Sequence, residues 1–170
     1  EFIKRMANTN VDLKKVITPE TVIFCPFELV ESASKLVSKV FGVAPGFEAE
    51  WKGITFKAVP AYNIIKTDKH PKEKRWVGYV LDFGHVSIYH AGDTERIPEM
   101  KNIKCDIILL PLGQTYTMNQ LEDAVEAVID TGASLAIPIH FGMYEGKSED
   151  AEKFKKLLAG KADVLIPIIA

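Results

Sequence analysis

The chain has 170 residues, 47% of them apolar and 26% charged, with 21 basic against 23 acidic side chains and a net charge of −2. These numbers fit one compact domain with a sizeable core. They argue against a chain whose main task is coating nucleic acid, while leaving room for a small local basic patch.

No apolar run reaches the length of a membrane span, and residues 1–10 lack the apolar stretch of a secretory signal. Cys25 and Cys105 each sit in an apolar run without a second cysteine or histidine at ligand spacing. Buried reduced thiols and a reducing, cytoplasmic setting are therefore expected. Residues 21–26 (TVIFCP) read as a short buried strand. A helix is expected over 28–41, with Leu29, Ala33, Leu36, Val37 and Val40 at helical spacing and Gly42 as its stop. Residues 45–62 alternate as two strands about a Lys52-Gly53 turn. Residues 63–74 are polar and read as a loop. Strands over 76–83 and 86–90 flank a second turn at Gly84-His85. A wholly apolar strand follows over 106–112, then an amphipathic helix over 119–130 closed by Gly132, and a buried strand over 134–139. The last pair is a helix over 148–158 and a strand over 164–169. Ser148 is that helix's expected N-cap, with Ala151, Phe154, Leu157 and Leu158 facing inward. Antiparallel pairing first and parallel β/α units later predict a mixed sheet covered by helices.

Two strand ends carry candidate chemistry. Tyr89-His90-Ala91-Gly92-Asp93-Thr94 runs an apolar strand into a glycine that lets the chain turn and an acid thrust out beyond it. Ile137-Pro138-Ile139-His140-Phe141-Gly142 ends a second buried strand in a histidine. Each has an ordinary explanation alone, an Asx-type turn for Asp93 and a backbone-bonded histidine for His140. Together they put a carboxylate and an imidazole at strand ends, where α/β folds collect functional groups. That pair suits zinc, manganese or iron, but two ligands fall short of the roughly three of a catalytic zinc site.

The strings IYHAGDTERIPEM, DIILLPLGQTYTM and LAIPIHFG, in this order, resemble one branch of the metallo-β-lactamase superfamily. It contains metal-dependent hydrolases and relatives of the ascorbate-lactone hydrolases. The likeness runs from about Val59 to Gly142. It implies an α/β metallo-β-lactamase-like αββα sandwich over residues 1–170, a single domain with its N-terminal part incomplete. It also implies that Asp93 is an acid bridging two metal ions, and so the catalytic residue, and that His140 is the last histidine ligand. The cofactor implied is one or two zinc ions, with manganese, iron or nickel as alternatives. Asn63, in the string PAYN, stands where the wider superfamily carries a histidine.

The superfamily's HxHxDH cluster is absent from the sequence. Three origins stay open: a mobile loop omitted near Asn10 and Val11, a truncated chain, or a natural relative that has lost the cluster. Around the expected site, Tyr62, Asn63, His70 and Tyr116 are candidates for substrate contact. His70 and Tyr116 read equally as parts of solvated loops. His90 and Thr94 are candidates for hydrogen-bonding a ligand, His90 with packing and Thr94 with capping the turn as the alternative. Gln114 to Thr117 should reach the rim, with Thr117 also a candidate helix cap. The implied reaction is hydrolysis by a metal-bound hydroxide of a small-molecule lactone, ester, amide or phosphodiester, with no nucleic-acid or membrane partner. The alternative is a metal-free binding or scaffold module that keeps the fold. A nucleotide-binding reading needs a glycine-rich loop after the first strand, which Cys25-Pro26-Phe27-Glu28 does not supply.

Overall fold

The computed structural model describes residues 17–113, 115–118, 120–142 and 146–167. The expected break near Asn10 and Val11 lies outside them, as do Gln114 and the end of the last predicted strand. The chain divides into two units, Glu1–Ala44 and Pro45–Ala170.

In the first unit, β1 (Val22–Pro26) pairs in parallel with β2 (Lys39–Val43), Val22 opposite Lys39 and Pro26 opposite Val43. The helix expected over 28–41 is corrected. Only α1 (Val30–Ala33) is α-helical, after a 3-10 turn at Phe27–Leu29. The reason is a competing period. Val40, Phe41 and Val43 are β-branched or aromatic, and a partner strand lies open beside them, so pairing overrides the helical spacing of Leu36, Val37 and Val40.

In the second unit, β3 (Glu48–Trp51), β4 (Ile54–Pro60), β5 (Val77–Asp82), β6 (Ser87–His90), β7 (Ile107–Pro111), β8 (Leu135–Ile139) and β9 (Asp163–Val164) form one sheet in sequence order. Pairing is antiparallel from β3 to β6 and parallel from β6 to β9, as expected. Helix α2 (Leu121–Thr131) buries Ala124, Val125, Ala127 and Val128, a stripe at spacings of three and four residues that faces the core. Helix α3 (Ser148–Leu157) buries Ala151 and Phe154. Two end details are corrected. Lys147 precedes the helix as cap, its N–H donating to Asp150 Oδ2, so Ser148 is already helical. Leu157 is exposed, and Leu158 takes the inward position. Both cysteines are buried and unpaired with each other.

The topology places the site. β4, β6, β7 and β8 all point the same way in the sheet, two by alternation and two by parallel pairing. The segments leaving their C-terminal ends therefore share one edge. Those segments carry Tyr62 to His70, Asp93 to Glu95, Tyr116 and His140.

Candidate metal centre

Asp93 follows β6 by a turn at Gly92, whose φ of 70° an L side chain adopts with difficulty. The Ala91 N–H donates to the Leu109 carbonyl, so the turn stays tied to β7 until one residue before Gly92. His140 leaves β8 in the left-handed region, φ 62°. That backbone is uncommon for a non-glycine residue and marks a position held by its surroundings. Gly146 contributes to the hold. A Cβ there would come 2.8 Å from the Leu112 carbonyl oxygen and 3.0 Å from Phe141 Cα, so only glycine lets the chain close against this turn.

His140 Nδ1 lies 3.2 Å from Asp93 Oδ1, and His70 Nε2 lies 3.5 Å from Asp93 Oδ2. Asp93 is thus flanked by two imidazoles, one at each oxygen. The His70 side chain is 12% exposed, that of Asp93 25% and that of His140 40%. The site opens to solvent on the His140 side. Among the described residues, no three or more His, Cys, Asp or Glu groups form a ready metal-holding set.

The hydrogen bonds around His70 orient its ring. Asn63 is 1% exposed, and its Nδ2 donates to the carbonyls of Tyr116 (2.7 Å) and Lys66 (3.2 Å). Those two acceptors use both amide hydrogens and forbid the flipped amide, which would set oxygen against oxygen. Nδ2 also lies 3.3 Å from His70 Nδ1, with no hydrogen left to give it. His70 Nδ1 sits 3.2 Å from the Tyr116 carbonyl, which can only accept. Nδ1 therefore carries a proton, and Nε2 is the nitrogen turned toward Asp93. The Trp76 ring meets the imidazole edge-on, centroids 5.5 Å apart. Asn63 Oδ1 is buried with no hydrogen-bond partner among the described residues.

So the structure brings together Asp93, His140, His70, Asn63 and the backbone of Tyr116. Other expected site residues are engaged elsewhere. The Tyr62 hydroxyl donates to Glu99 Oε2 at 2.8 Å, and Lys72 Nζ donates to the Tyr62 oxygen at 3.0 Å. Thr94 Oγ1 accepts the Tyr62 N–H at 3.1 Å and donates to the Tyr62 carbonyl at 2.8 Å, so it fastens a neighbouring loop and not the Asp93 carboxylate. His90 Nδ1 accepts the Gly92 N–H at 3.1 Å and braces the turn. His90 keeps solvent on its outer edge. Even so, the protein mass around its ring, then the neighbouring His140, hold its pKa below the usual imidazole value against the pull of Asp93. Thr117 is not the cap of α2; its hydroxyl donates to the Gly113 carbonyl, and Gln120 occupies the cap.

One residue escaped the sequence reading. Glu95 is 3% exposed, and its carboxylate accepts the N–H groups of Ile64, Ile65 and Lys66 at 2.8, 2.7 and 3.0 Å. An acid after GDT and before an arginine looks like ordinary surface in sequence, and its partners lie some 30 residues back. The only available signal was the exposed-looking pair Ile64-Ile65, whose amides need acceptors from somewhere.

The chain resembles known proteins over most of its length. A family profile described as a beta-lactamase superfamily domain matches residues 19–141. A UPF0173 metal-dependent hydrolase of Thermoplasma acidophilum is 35% identical over 157 residues, which cover 86% of this chain and 66% of that protein. The chain thus spans just under two thirds of that relative's length. A candidate metal-dependent hydrolase of Parabacteroides distasonis superposes with a TM-score of 0.75 at 31% identity, over 91% of this chain and 68% of the other. Igni18, a metallo hydrolase of Ignicoccus hospitalis, shares the fold at a TM-score of 0.75 and 21% identity, over 94% and 70% of the two chains. With a profile match through both strand-end motifs and a shared fold, the chain belongs to the metallo-β-lactamase superfamily.

Proposed function

We propose that the chain serves a metal-dependent hydrolase in which Asp93, His70 and His140 hold one or two divalent cations. One observation carries the reading. His70 Nε2 faces Asp93 Oδ2 at 3.5 Å, with Nδ1 directed to the Tyr116 carbonyl on the far side. An imidazole nitrogen and a carboxylate oxygen this close could share a cation between them. The second oxygen of Asp93 faces His140, so the carboxylate and both imidazoles would be available to hold the metal.

The donors fit a borderline-soft divalent ion, with zinc the first candidate and manganese, iron or nickel close behind. They do not saturate one, and the remaining donors are to be sought outside the described residues. When bound, such an ion lowers the pKa of a water toward neutrality and polarises the oxygen of the bond to be cleaved. The chain's own residues do the positioning. Asp93 stands at the strand end, His70 is held with Nε2 toward it by its Nδ1 hydrogen bond, and His140 flanks it on the open, solvent side. Asn63 joins the 63–70 loop to the 115–118 segment, and these two segments form the rim where a small ester, lactone, amide or phosphodiester would enter. Asn63, His70 and Tyr116 are its nearest groups. The family match runs through both units, which supports reading residues 1–170 as one domain. Among the described residues no helix is long and apolar enough to cross a membrane. The two buried cysteines, unpaired with each other, support a reducing, cytoplasmic setting.

The alternative is a binding or scaffold module that keeps the fold without a competent site. Elemental analysis of protein purified without chelator, with melting curves in added Zn²⁺, Mn²⁺, Fe²⁺ and Ni²⁺, separates the two. Co-purifying metal, a rise in Tm, and turnover of at least one chromogenic ester, lactone or phosphodiester support the hydrolase. No metal and no rise in Tm leave the module.

A further inference from the structure

We propose that Glu95 is a positioning residue that sets the His70–Asp93 separation by clamping the 63–70 loop to the segment that carries Asp93; this rests on the metal-centre reading above. The loop is closed at its ends by the Asn63 N–H donating to the His70 carbonyl at 2.7 Å. Inside it the Lys69 N–H donates to the Lys66 carbonyl at 3.0 Å. The three amides at its leading turn, Ile64, Ile65 and Lys66, all point at the Glu95 carboxylate. Side chains of Ile64 and Ile65 consequently stand outward, exposed, while the backbone is gripped from beneath. A loop with exposed isoleucines has little apolar burial to hold it, so the grip must come from its backbone groups.

The grip is short and direct. Glu95 is two residues from Asp93, and its own N–H donates to the Tyr62 carbonyl at 3.1 Å. Thr94 takes both backbone groups of Tyr62. Residues 93–95 therefore present one side chain to the ion site and two to the loop that brings His70 to it. Lys66 adds a cross-tie, its Nζ 3.9 Å from Glu95 Oε1 and hydrogen-bonded to the Thr117 carbonyl. A carboxylate is the fitting group, since three N–H donors converge on two oxygens with no acceptor among them. A glutamine in the same shape would turn an N–H against one of these amides.

The test compares wild type, Glu95→Gln, His70→Ala and the double variant. The first readout needs no metal: the ring resonances of His70, sensitive to the edge-on Trp76, shift in Glu95→Gln while those of His85 stay in place. The second is Zn²⁺ affinity, expected to fall roughly tenfold to a hundredfold in Glu95→Gln, as for outer partners of metal ligands. That loss vanishes in the His70→Ala background if Glu95 acts through His70. A merely structural role would lower Tm and leave the affinity of the folded protein unchanged, and that result overturns the inference. So does an unmoved His70 spectrum, or an equal loss in both backgrounds. Should wild type bind no Zn²⁺, the hydrolase reading falls and the ring shift alone decides the clamp. Should Glu95→Gln not fold, amide exchange in wild type decides it: strong protection at Ile64, Ile65 and Lys66 supports the clamp, and solvent-like exchange rejects it.

Discussion

The two sides of Asp93 are built on different principles. On the His70 side everything is held by buried polar contacts: Asn63 to two carbonyls, Tyr116 to the imidazole, Glu95 to three amides. On the His140 side the side chain is nearly half open, and the hold comes from the backbone, a left-handed residue with a glycine closing against it. The lesson is that a rigid ligand and an adaptable one can flank the same carboxylate. The buried side fixes ring orientation and distance, while the open side stays in reach of water.

Substitutions can break this contrast. The largest effect is expected at the shared residue: Asp93→Asn removes the charge that both sides need, and metal retention by elemental analysis should drop to background. Next comes Gly146→Ala, which forces a Cβ into backbone on the His140 side; chemical denaturation should show a loss of about 1–3 kcal/mol. The paired test of the contrast is His70→Ala against His140→Gly in metal-free protein. The first removes a buried, hydrogen-bonded ring and should cost roughly 1–3 kcal/mol. The second relieves a positive φ and should leave stability within about 1 kcal/mol of wild type, on the stabilising side. Equal losses would erase the distinction between the two flanks.

The smallest effect concerns Glu99, beneath the His70 side. Burial alone would raise its pKa, but hydrogen bonds from Tyr62, from its own backbone and from Lys72 outweigh that and hold it below the usual glutamate value of 4.5. A depressed carboxylate contributes stability that is fully present above the unfolded value and is lost as pH falls through the folded one. Wild type should therefore lose Tm below about pH 4.5 more steeply than Glu99→Gln, with the two curves parallel above pH 6.

Much of this was legible in the sequence because period and turn chemistry agreed. The Lys52-Gly53 and Gly84-His85 hairpins, the apolar β7 and the α2 stripe each carried one consistent signal, and strand order then put Asp93 and His140 on one edge. The 28–41 segment failed because its spacing suits a helix and its residue types suit a strand, and only a neighbouring β1 decides between them. His70 was visible as a loop histidine, but its place beside Asp93 depends on Glu95 and Asn63, whose partners are distant in sequence. Tyr62 and Thr94 follow the same strand ends as the site by chain position, yet their polar atoms turn to scaffold partners that no spacing rule reveals.

The most direct test of the central claim is a Zn²⁺ titration of the protein followed through the four histidine ring resonances by NMR. The account predicts that His70 and His140 shift together and saturate at one concentration, that Asp93→Asn abolishes both shifts, and that His85 stays still. If His140 moves alone, or moves no differently from His85, then His70, Asp93 and His140 do not share a metal and the account is wrong.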